Sequence, residues 1–127
     1  MPQLPYSIEL HDSDLERVWT QDGAVHLLFA PAYIHRYGKG WIQEVEIIIR
    51  NASMVTDNET WPVTVDDGHM RTELGPYHNL LLVPFAVEGL VELELEFMSG
   101  TTLAIKGNGI EHEFKGKPVF VEEYRST

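Results

Sequence analysis

Apolar and polar residues alternate in steps of two along most of the chain, and glycine, asparagine and aspartate interrupt the alternation at short intervals. Such a pattern predicts short antiparallel strands that each bury one face and expose the other. Only residues 14–20 could form a short helix, and their Trp, Val and Thr content favours a strand instead. The sequence therefore predicts an all-β fold, an antiparallel β-sandwich or flattened barrel of about nine or ten strands that are mostly connected by hairpins.

The clearest hairpin signal is Asp22-Gly23, which lies between two alternating segments. Asp-Gly suits a two-residue turn in which both central residues have positive φ. A turn of this type fixes the register of the two strands. It predicts that Val18 lies opposite Leu27 and that Trp19 lies opposite His26.

Residues 91–97 alternate apolar side chains with glutamates, so one face of this strand is predicted to be buried and the other solvated. A two-residue loop after this strand would put the apolar faces of the two strands out of phase. A three-residue loop at 98–100, with Gly100 in the left-handed conformation, keeps them in phase and pairs Leu95 with Leu103.

A second turn is predicted at Gly107-Asn108. This dipeptide suits a tight hairpin, which would set Ile105 opposite Ile110 and Leu103 opposite His112. Together with the preceding hairpin, it predicts a three-stranded meander with one apolar face.

The remaining segments complete the predicted sheet. Residues 41–50 form a long run rich in β-branched side chains, which is typical of a central strand. Residues 61–65 and 69–74 flank Asp66-Asp67-Gly68, which favours another hairpin turn. Further strands are expected at 80–86 and 119–124.

The net charge of the chain excludes one class of function. The chain has 127 residues with 9 basic and 20 acidic side chains, a formal net charge of −11. A surface this acidic repels phosphate backbones, so nucleic-acid binding is not expected. Acidic and basic residues are spread alike over both halves and no Pro/Gly/Ser linker divides them, which predicts one domain over residues 1–127.

The sequence also lacks membrane and secretory signals. The longest apolar run, residues 80–87, contains Pro84 and is far shorter than the roughly 20 residues of a spanning helix. The amino-terminal residues lack the basic start and apolar stretch of a signal peptide. These features predict a cytoplasmic protein that does not bind membranes.

No constellation of residues in the sequence points to catalysis. The chain has no cysteine, which excludes disulfides and thiolate chemistry. His11, Asp12, Ser13 and Asp14 include the residue types of a catalytic triad, but contiguous residues cannot converge as one, and we interpret them as a turn. None of the six histidines has ligand spacing along a strand or helix, so no metal site and no cofactor are expected. The sequence thus favours a protein that is not an enzyme.

The sharpest functional feature is a set of glutamates on the predicted solvent face of the meander. The predicted register aligns two rows across its three strands, Glu94, Ala104 and Glu111 and beside them Glu96, Thr102 and Glu113. Glutamates this close repel one another and lower the stability of the fold. We therefore consider two interpretations, a solvated face that keeps the protein soluble and a docking surface for a basic partner or a cation.

A group of aromatic residues near predicted loops offers an alternative site. The group comprises Tyr33, Tyr37, Trp41, Trp61 and Tyr77. Aromatic side chains on loops can bind a small molecule or anchor a partner. In small β domains they more often cap the ends of the core, which is the interpretation we favour.

Four motifs are spread over most of the chain. They are Glu9-Leu10-His11-Asp12-Ser13, Pro31-Ala32-Tyr33-Ile34-His35-Arg36, Gly40-Trp41-Ile42-Gln43 and Val121-Glu122-Glu123-Tyr124. Together they resemble a family of small bacterial all-β proteins that has no established activity. Some groups that share the first motif are similar to bacterial toxin-immunity proteins. The resemblance implies an all-β fold and brings no catalytic or cofactor-binding residue.

These observations lead to one predicted function and one alternative. We expect a non-catalytic, immunity-like binding module that docks a basic protein partner through Glu94, Glu96, Glu111 and Glu113. The alternative is a small-molecule-binding β-barrel or sandwich that uses the loop aromatics. Self-association and the choice between sandwich and barrel stay open at this level.

Overall fold

The computed structural model describes residues 6–36, 38–58, 60–82 and 86–123, and these residues form ten antiparallel strands. In chain order they are β1 (Tyr6–Glu9), β2 (Asp14–Gln21), β3 (Ala24–Arg36), β4 (Lys39–Ile49), β5 (Ser53–Thr56), β6 (Val63–Thr72), β7 (Gly75–His78), β8 (Leu80–Leu82), β9 (Ala86–Phe97) and β10 (Thr102–Glu123). The described ranges contain no helix, and therefore none long and apolar enough to cross a membrane. The all-β prediction is confirmed.

Hydrogen bonds close six of the strands into a ring. The order β2-β6-β9-β10-β4-β3 returns to β2, because β3 also pairs with β2. β1 extends the sheet from β3 and carries β8, whereas β5 pairs with β10 and β7 pairs with β6. β4 lies between β10 and β3, as its β-branched run predicts. The closed hydrogen bonding is that of a flattened barrel, which leaves few free strand edges.

Apolar side chains from alternate positions of the ring strands fill the core. On β9, Leu93 and Leu95 are buried whereas Glu94 between them is exposed, so this strand has the predicted alternation. Other fully buried side chains include Leu27, Phe29, Ile47, Ile49 and Leu103. Removal of this apolar surface from water is the main force that holds the ring together.

The hairpin between β2 and β3 is confirmed. Asp22 and Gly23 both have positive φ, 52° and 80°, as the turn requires. The register pairs Val18 with Leu27 and Trp19 with His26. A short local signal was therefore enough to fix the register of the two strands from the turn as far as Arg17, beyond which a bulge shifts it.

The hairpin between β9 and β10 also has the predicted form. Gly100 lies in the left-handed region with a φ of 89°. The backbone N–H of Phe97 donates a hydrogen bond of 2.9 Å to the carbonyl oxygen of Thr101 and closes the loop. Leu95 pairs with Leu103, so the apolar faces of the two strands stay in phase.

The turn predicted at Gly107-Asn108 is wrong, because β10 continues through these residues. His112 consequently pairs with Ile47 of β4 and does not return to face Leu103. The ladder with β9 shifts register just before Ile110, which is the mark of a β-bulge. The predicted three-stranded meander is therefore a single hairpin followed by a strand that changes partner from β9 to β4.

Close packing explains why glycines occur in this part of β10. A Cβ atom on Gly107 would lie 2.6 Å from Cγ2 of Ile49 and 2.7 Å from the carbonyl oxygen of Arg50. A Cβ atom on Gly109 would lie 2.6 Å from Nη2 of Arg50. At Gly107 glycine is thus required by the approach of another chain segment and not by a reversal of direction, whereas Gly109 also has a φ of 102°, which favours glycine.

The hairpin predicted at Asp66-Asp67-Gly68 is also wrong, because β6 runs through it without a turn. The ladder with β9 shifts register after Val65, so the extra residue is accommodated as a bulge. Gly68 packs against Leu10, since a Cβ atom on this glycine would lie 2.8 Å from Cδ1 of that leucine. The chain reverses later, between β6 and β7, where Thr72 pairs with Gly75.

Two of the expected strands are described only in part. The strand expected at 80–86 begins as β8, and residues 83–85 lie outside the described residues. The strand expected at 119–124 is the last part of β10, and Tyr124 also lies outside them.

Candidate functional site

The four glutamates of the predicted acidic patch do not form one patch. Glu94 and Glu96 lie opposite Ala104 and Thr102, as predicted. Because β10 does not turn back, Glu111 follows Ala104 by about seven residues, or roughly 23 Å along the strand. Glu111 and its neighbour Glu113 lie instead where β10 pairs with β4. The prediction of a contiguous patch is therefore wrong, although all four side chains are exposed.

The two pairs of glutamates also differ in their surroundings. An oxygen of Glu111 lies 3.4 Å from a guanidinium nitrogen of Arg50, and an oxygen of Glu113 lies 4.0 Å from Nζ of Lys115. Glu94 and Glu96 form no ion pair with any described residue. We call these two residues the acidic pair, because among the four glutamates only they have no basic partner among the described residues.

The acidic pair lies beside titratable side chains of β6. The register sets Asp67 opposite Glu96 and His69 opposite Glu94. On the far side of β6, His78 of β7 lies opposite His69. A row of His78, His69 and Glu94 therefore crosses three neighbouring strands.

Asp67, His69 and His78 form a hydrogen-bonded group, which we call the Asp67 cluster. Nε2 of His69 lies 2.7 Å from Oδ2 of Asp67, and Nε2 of His78 lies 2.6 Å from Oδ1. The two imidazole rings are parallel to within 2° and their centroids are 4.3 Å apart. The carboxylate thus accepts one hydrogen bond on each oxygen from two stacked rings, whose Nε2 atoms act as donors.

These hydrogen bonds keep Asp67 ionised. The hydrogen bond from His78 is the largest cause that holds the pKa of Asp67 below its ordinary value. Partial burial opposes this effect, whereas hydrogen bonds from Asn79 and His69 add to it. Asp67 therefore carries its negative charge across the neutral and mildly acidic range.

Asn79 fixes the geometry of the cluster from the end of β7. Its Nδ2 donates to Oδ1 of Asp67 at 3.0 Å, and its Oδ1 accepts a hydrogen bond of 2.8 Å from the backbone N–H of Gly68. The backbone carbonyl of Asn79 accepts a further hydrogen bond from the N–H of Leu10. Asn79 has a φ of 63°, a conformation that asparagine adopts more readily than most residues. One residue thereby joins the cluster to two neighbouring segments.

A cleft of about 320 Å³ adjoins both the cluster and the acidic pair. Its lining consists of His69, Met70, Arg71, Pro76, Tyr77, Glu92 and Glu94. One histidine of the cluster and one glutamate of the acidic pair therefore face the same open space.

The aromatic residues of the alternative site are dispersed. Tyr77 lines the cleft beside the cluster, but Trp61 packs edge-on against Phe97 and Trp41 packs edge-on against Phe120. The hydroxyl of Tyr33 donates to Glu122 on the outside of the sheet. Tyr37 lies outside the described residues. Apart from Tyr77, the described members contact the core residue Phe97 or strand β10.

A second cleft, of about 370 Å³, contains a buried polar group without a partner. It is lined by Glu16, Ala30, Pro31, Ile42, Gln43, Glu44, Lys117 and Val119. Gln43 is only 8% exposed, and its Nε2 donates to the carbonyl of Gly116 at 3.1 Å. Its Oε1 is buried and has no hydrogen-bond partner among the described residues. Such an atom is a natural acceptor for a bound ligand or water.

The segment with triad-like composition is a turn, as predicted. Asp12 has a φ of 68°, and the backbone N–H of Ser13 donates to the carbonyl of Leu10. Oγ of Ser13 donates to the carbonyl of Glu9 at 2.5 Å and accepts from the N–H of Tyr33 at 3.0 Å. The serine is buried, and its hydroxyl donates one structural hydrogen bond and accepts another.

Linear spacing of the histidines could not reveal the Asp67 cluster, and we did not predict it. Asp67 and His69 are two residues apart and therefore share a strand face. His78 joins them only if the chain reverses between Thr72 and Gly75. The turn predicted at Asp66-Asp67-Gly68 would reverse the chain before His69, so the predicted fold does not bring the three residues together.

No protein-family model matches the chain, and no curated protein or solved structure matches it either. The resemblance to a family of small bacterial β proteins therefore stays a prediction. The fold and the site together define a closed antiparallel β protein with a charged, histidine-bearing face on β6, β7 and β9.

Proposed function

We propose that the protein is a non-catalytic binding module that docks a basic protein partner through the acidic pair, Glu94 and Glu96. The observation that carries this proposal is the exposure of two uncompensated carboxylates beside the small side chains of Ala104 and Thr102. Adjacent like charges lower stability unless something compensates them. A cationic partner side chain would supply that compensation.

The charge of the whole chain supports the same proposal. A net charge of −11 attracts a basic protein over distances longer than a single contact and raises the rate of association. Salt should weaken such an interaction, because the exposed charges are screened. The docking surface is narrower than the sequence suggested, since Arg50 and Lys115 already compensate Glu111 and Glu113.

Affinity capture from lysate of the source cell tests this function. The wild-type protein should retain a basic protein at low salt and release it at high salt. The double variant E94Q/E96Q should lose that partner, whereas the matched control E111Q/E113Q should keep it. Equal capture by both double variants, at equal thermal stability, would contradict the assignment of the acidic pair.

The cleft around Gln43 favours a second candidate function, the binding of a small molecule. Its Oε1 is buried and unpartnered, and a turn of the side chain would bring it into the cleft to accept a hydrogen bond from a ligand hydroxyl or amide group. The sequence predicted small-molecule binding through the loop aromatics. Here the proposed ligand binds at Gln43 instead, because the described aromatic residues do not converge.

Mass spectrometry of compounds released from the denatured, purified protein tests the second function. A ligand with a hydrogen-bond donor should co-purify with the wild type and with the control Q21M, which changes an exposed glutamine outside the cleft, and it should be missing from Q43M. Absence of any compound from wild-type protein would count against this candidate.

A further inference from the structure

We propose that Asp67, His69 and His78 bind a divalent transition-metal ion, with Zn²⁺ as the best match. The proposal is independent of partner docking, because it concerns β6 and β7 and needs no second protein. It also replaces the expectation, drawn from linear spacing, that no metal site exists.

The donor set of the Asp67 cluster suits this class of ion. Two imidazole nitrogens and one carboxylate oxygen are the ligands of many zinc sites, and imidazole also suits nickel, copper and iron. One donor atom from each of the three residues lies within 4.8 Å of the other two. Each Nε2 already lies 2.6–2.7 Å from a carboxylate oxygen. Once each imidazole carries its proton on Nδ1 and not on Nε2, small side-chain movements would therefore bring all three donors to the roughly 2 Å distances of a zinc ion.

The backbone holds these donors in place before any ion binds. The β6–β7 register places His69 directly opposite His78, and Asp67 lies on the same face of β6 as His69. Asn79 donates a hydrogen bond to the carboxylate from outside the donor set. Outer hydrogen bonds of this kind orient metal ligands and raise their affinity.

Solvent can reach the cluster, and one side of it opens to the adjoining cleft. Exposed fractions are 55% for the side chain of His69 and 61% for that of His78, so an ion can enter without unfolding. Glu94 lies opposite His69 and lines the cleft with it. A water molecule would complete the coordination, which is the arrangement of an open rather than a closed zinc site.

A second group of residues is a weaker candidate for a metal site. Glu9, His11 and Asp12 also bring donor atoms within 4.8 Å of one another, but they offer only one imidazole. Glu9 already accepts a hydrogen bond of 2.7 Å from His35. This group therefore serves as a control for the Asp67 cluster.

Isothermal titration of tag-free, chelator-treated protein with Zn²⁺ alone tests the proposal. The wild type should bind one ion, and both H78Q and H69Q should lose at least about tenfold in affinity, because each removes a ligand. The control H11Q should bind as the wild type does. Absence of binding to the wild type, or unchanged affinity in H78Q, would overturn the proposal, as would loss of binding in H11Q alone.

A measurement on the wild type keeps the test decisive if the variants fold poorly. In a two-dimensional NMR spectrum, Zn²⁺ should shift the ring signals of His69 and His78 and leave those of His11 and His26 in place. Shifts confined to other histidines would assign the ion elsewhere and refute this site. Zn²⁺ should also raise the melting temperature of the wild type, since an ion that binds only the folded state stabilises it.

Discussion

His26 of β3 and Glu46 of β4 are diagonal neighbours in the sheet, with Nδ1 of the histidine 2.8 Å from Oε2 of the glutamate. The ring of His26 also stacks on Trp19, with centroids 5.0 Å apart, and the guanidinium of Arg17 lies 4.4 Å above the Trp19 ring. Lys115 of β10 reaches the second oxygen of Glu46 at 3.4 Å. Glu46 thus joins side chains from the strands on both sides of β4.

The surroundings of Glu46 predict a specific dependence of stability on pH. Burial alone would raise its pKa, but the hydrogen bonds from His26 and Lys115 outweigh burial and hold the pKa below the ordinary value of 4.5. A carboxyl group with a lowered folded-state pKa stabilises the fold fully above its unfolded-state pKa. We expect this contribution to be lost as the pH falls through the lowered pKa of Glu46.

Urea unfolding of the wild type and E46Q from neutral pH down to about pH 3 measures this contribution. E46Q should be less stable than the wild type by about 1 kcal/mol or more at neutral pH, because it breaks a partly buried charged contact. The difference should shrink in acid. The exposed neighbour Glu44 provides the control, and E44Q should follow the wild-type curve. A constant difference at every pH would contradict the role given to Glu46.

Substitution of Gly107 tests the course of β10. G107A should cost about 2–4 kcal/mol of unfolding free energy, because its methyl group would overlap Ile49 and the carbonyl of Arg50. G100A is the comparison, since that position has a positive φ but no atom within 4 Å of the added carbon. Its cost should be about 1–2 kcal/mol. If G107A proved no more costly than G100A in chemical denaturation, the close approach of β10 to β4 would be refuted.

Charge neutralisation within the acidic pair should stabilise the fold. E94Q removes repulsion between Glu94 and Glu96, and we expect a gain of a few tenths of a kcal/mol at low salt that fades at high salt. E113Q removes a contact with Lys115 and should give no gain. Thermal unfolding at two salt concentrations distinguishes these outcomes. Equal effects of the two substitutions on thermal stability would mean that repulsion within the acidic pair does not lower the stability of the fold.

Ser13 should matter for stability and not for chemistry. S13A removes a hydroxyl that is 1% exposed and makes two hydrogen bonds, so we expect a loss of about 1–3 kcal/mol. The exposed Ser99 supplies a control, and S99A should be nearly neutral. A serine-directed fluorophosphonate probe should not label the wild type. Labelling that disappears in S13A would show that the turn interpretation is wrong.

Sequence reasoning predicted the fold class and two hairpins because these depend on local chemistry. At Asp22-Gly23 and at Gly100, residues that tolerate positive φ lie between strands whose alternation fixes the register. Gly68 and Gly107 carry no such conformational demand. Glycine is required at these two positions because Leu10 and Ile49, which are distant in sequence, leave no room for a side chain. The neighbouring sequence does not distinguish a glycine required for its small size from one required for a turn.

The candidate site could be predicted only in part for the same reason. The pairing of Glu94 with Ala104 followed from one hairpin and is confirmed, but the position of Glu111 depended on the turn at Gly107-Asn108. The Asp67 cluster likewise depended on which turn reverses the chain after β6. Charge compensation by Arg50 arises from tertiary packing and has no signal in the sequence.

The position of β10 in the ring has a consequence for synthesis on the ribosome. β10 is the last ring strand to be translated, and it lies between β9 and β4. Until it emerges from the exit tunnel, a nascent chain that has formed the other ring strands presents unpaired edges on both β9 and β4. Pairings between residues so distant in sequence also form slowly. We expect arrested nascent chains that lack residues 102–123 to be bound by chaperones and degraded by proteases, and to become resistant once this strand is released.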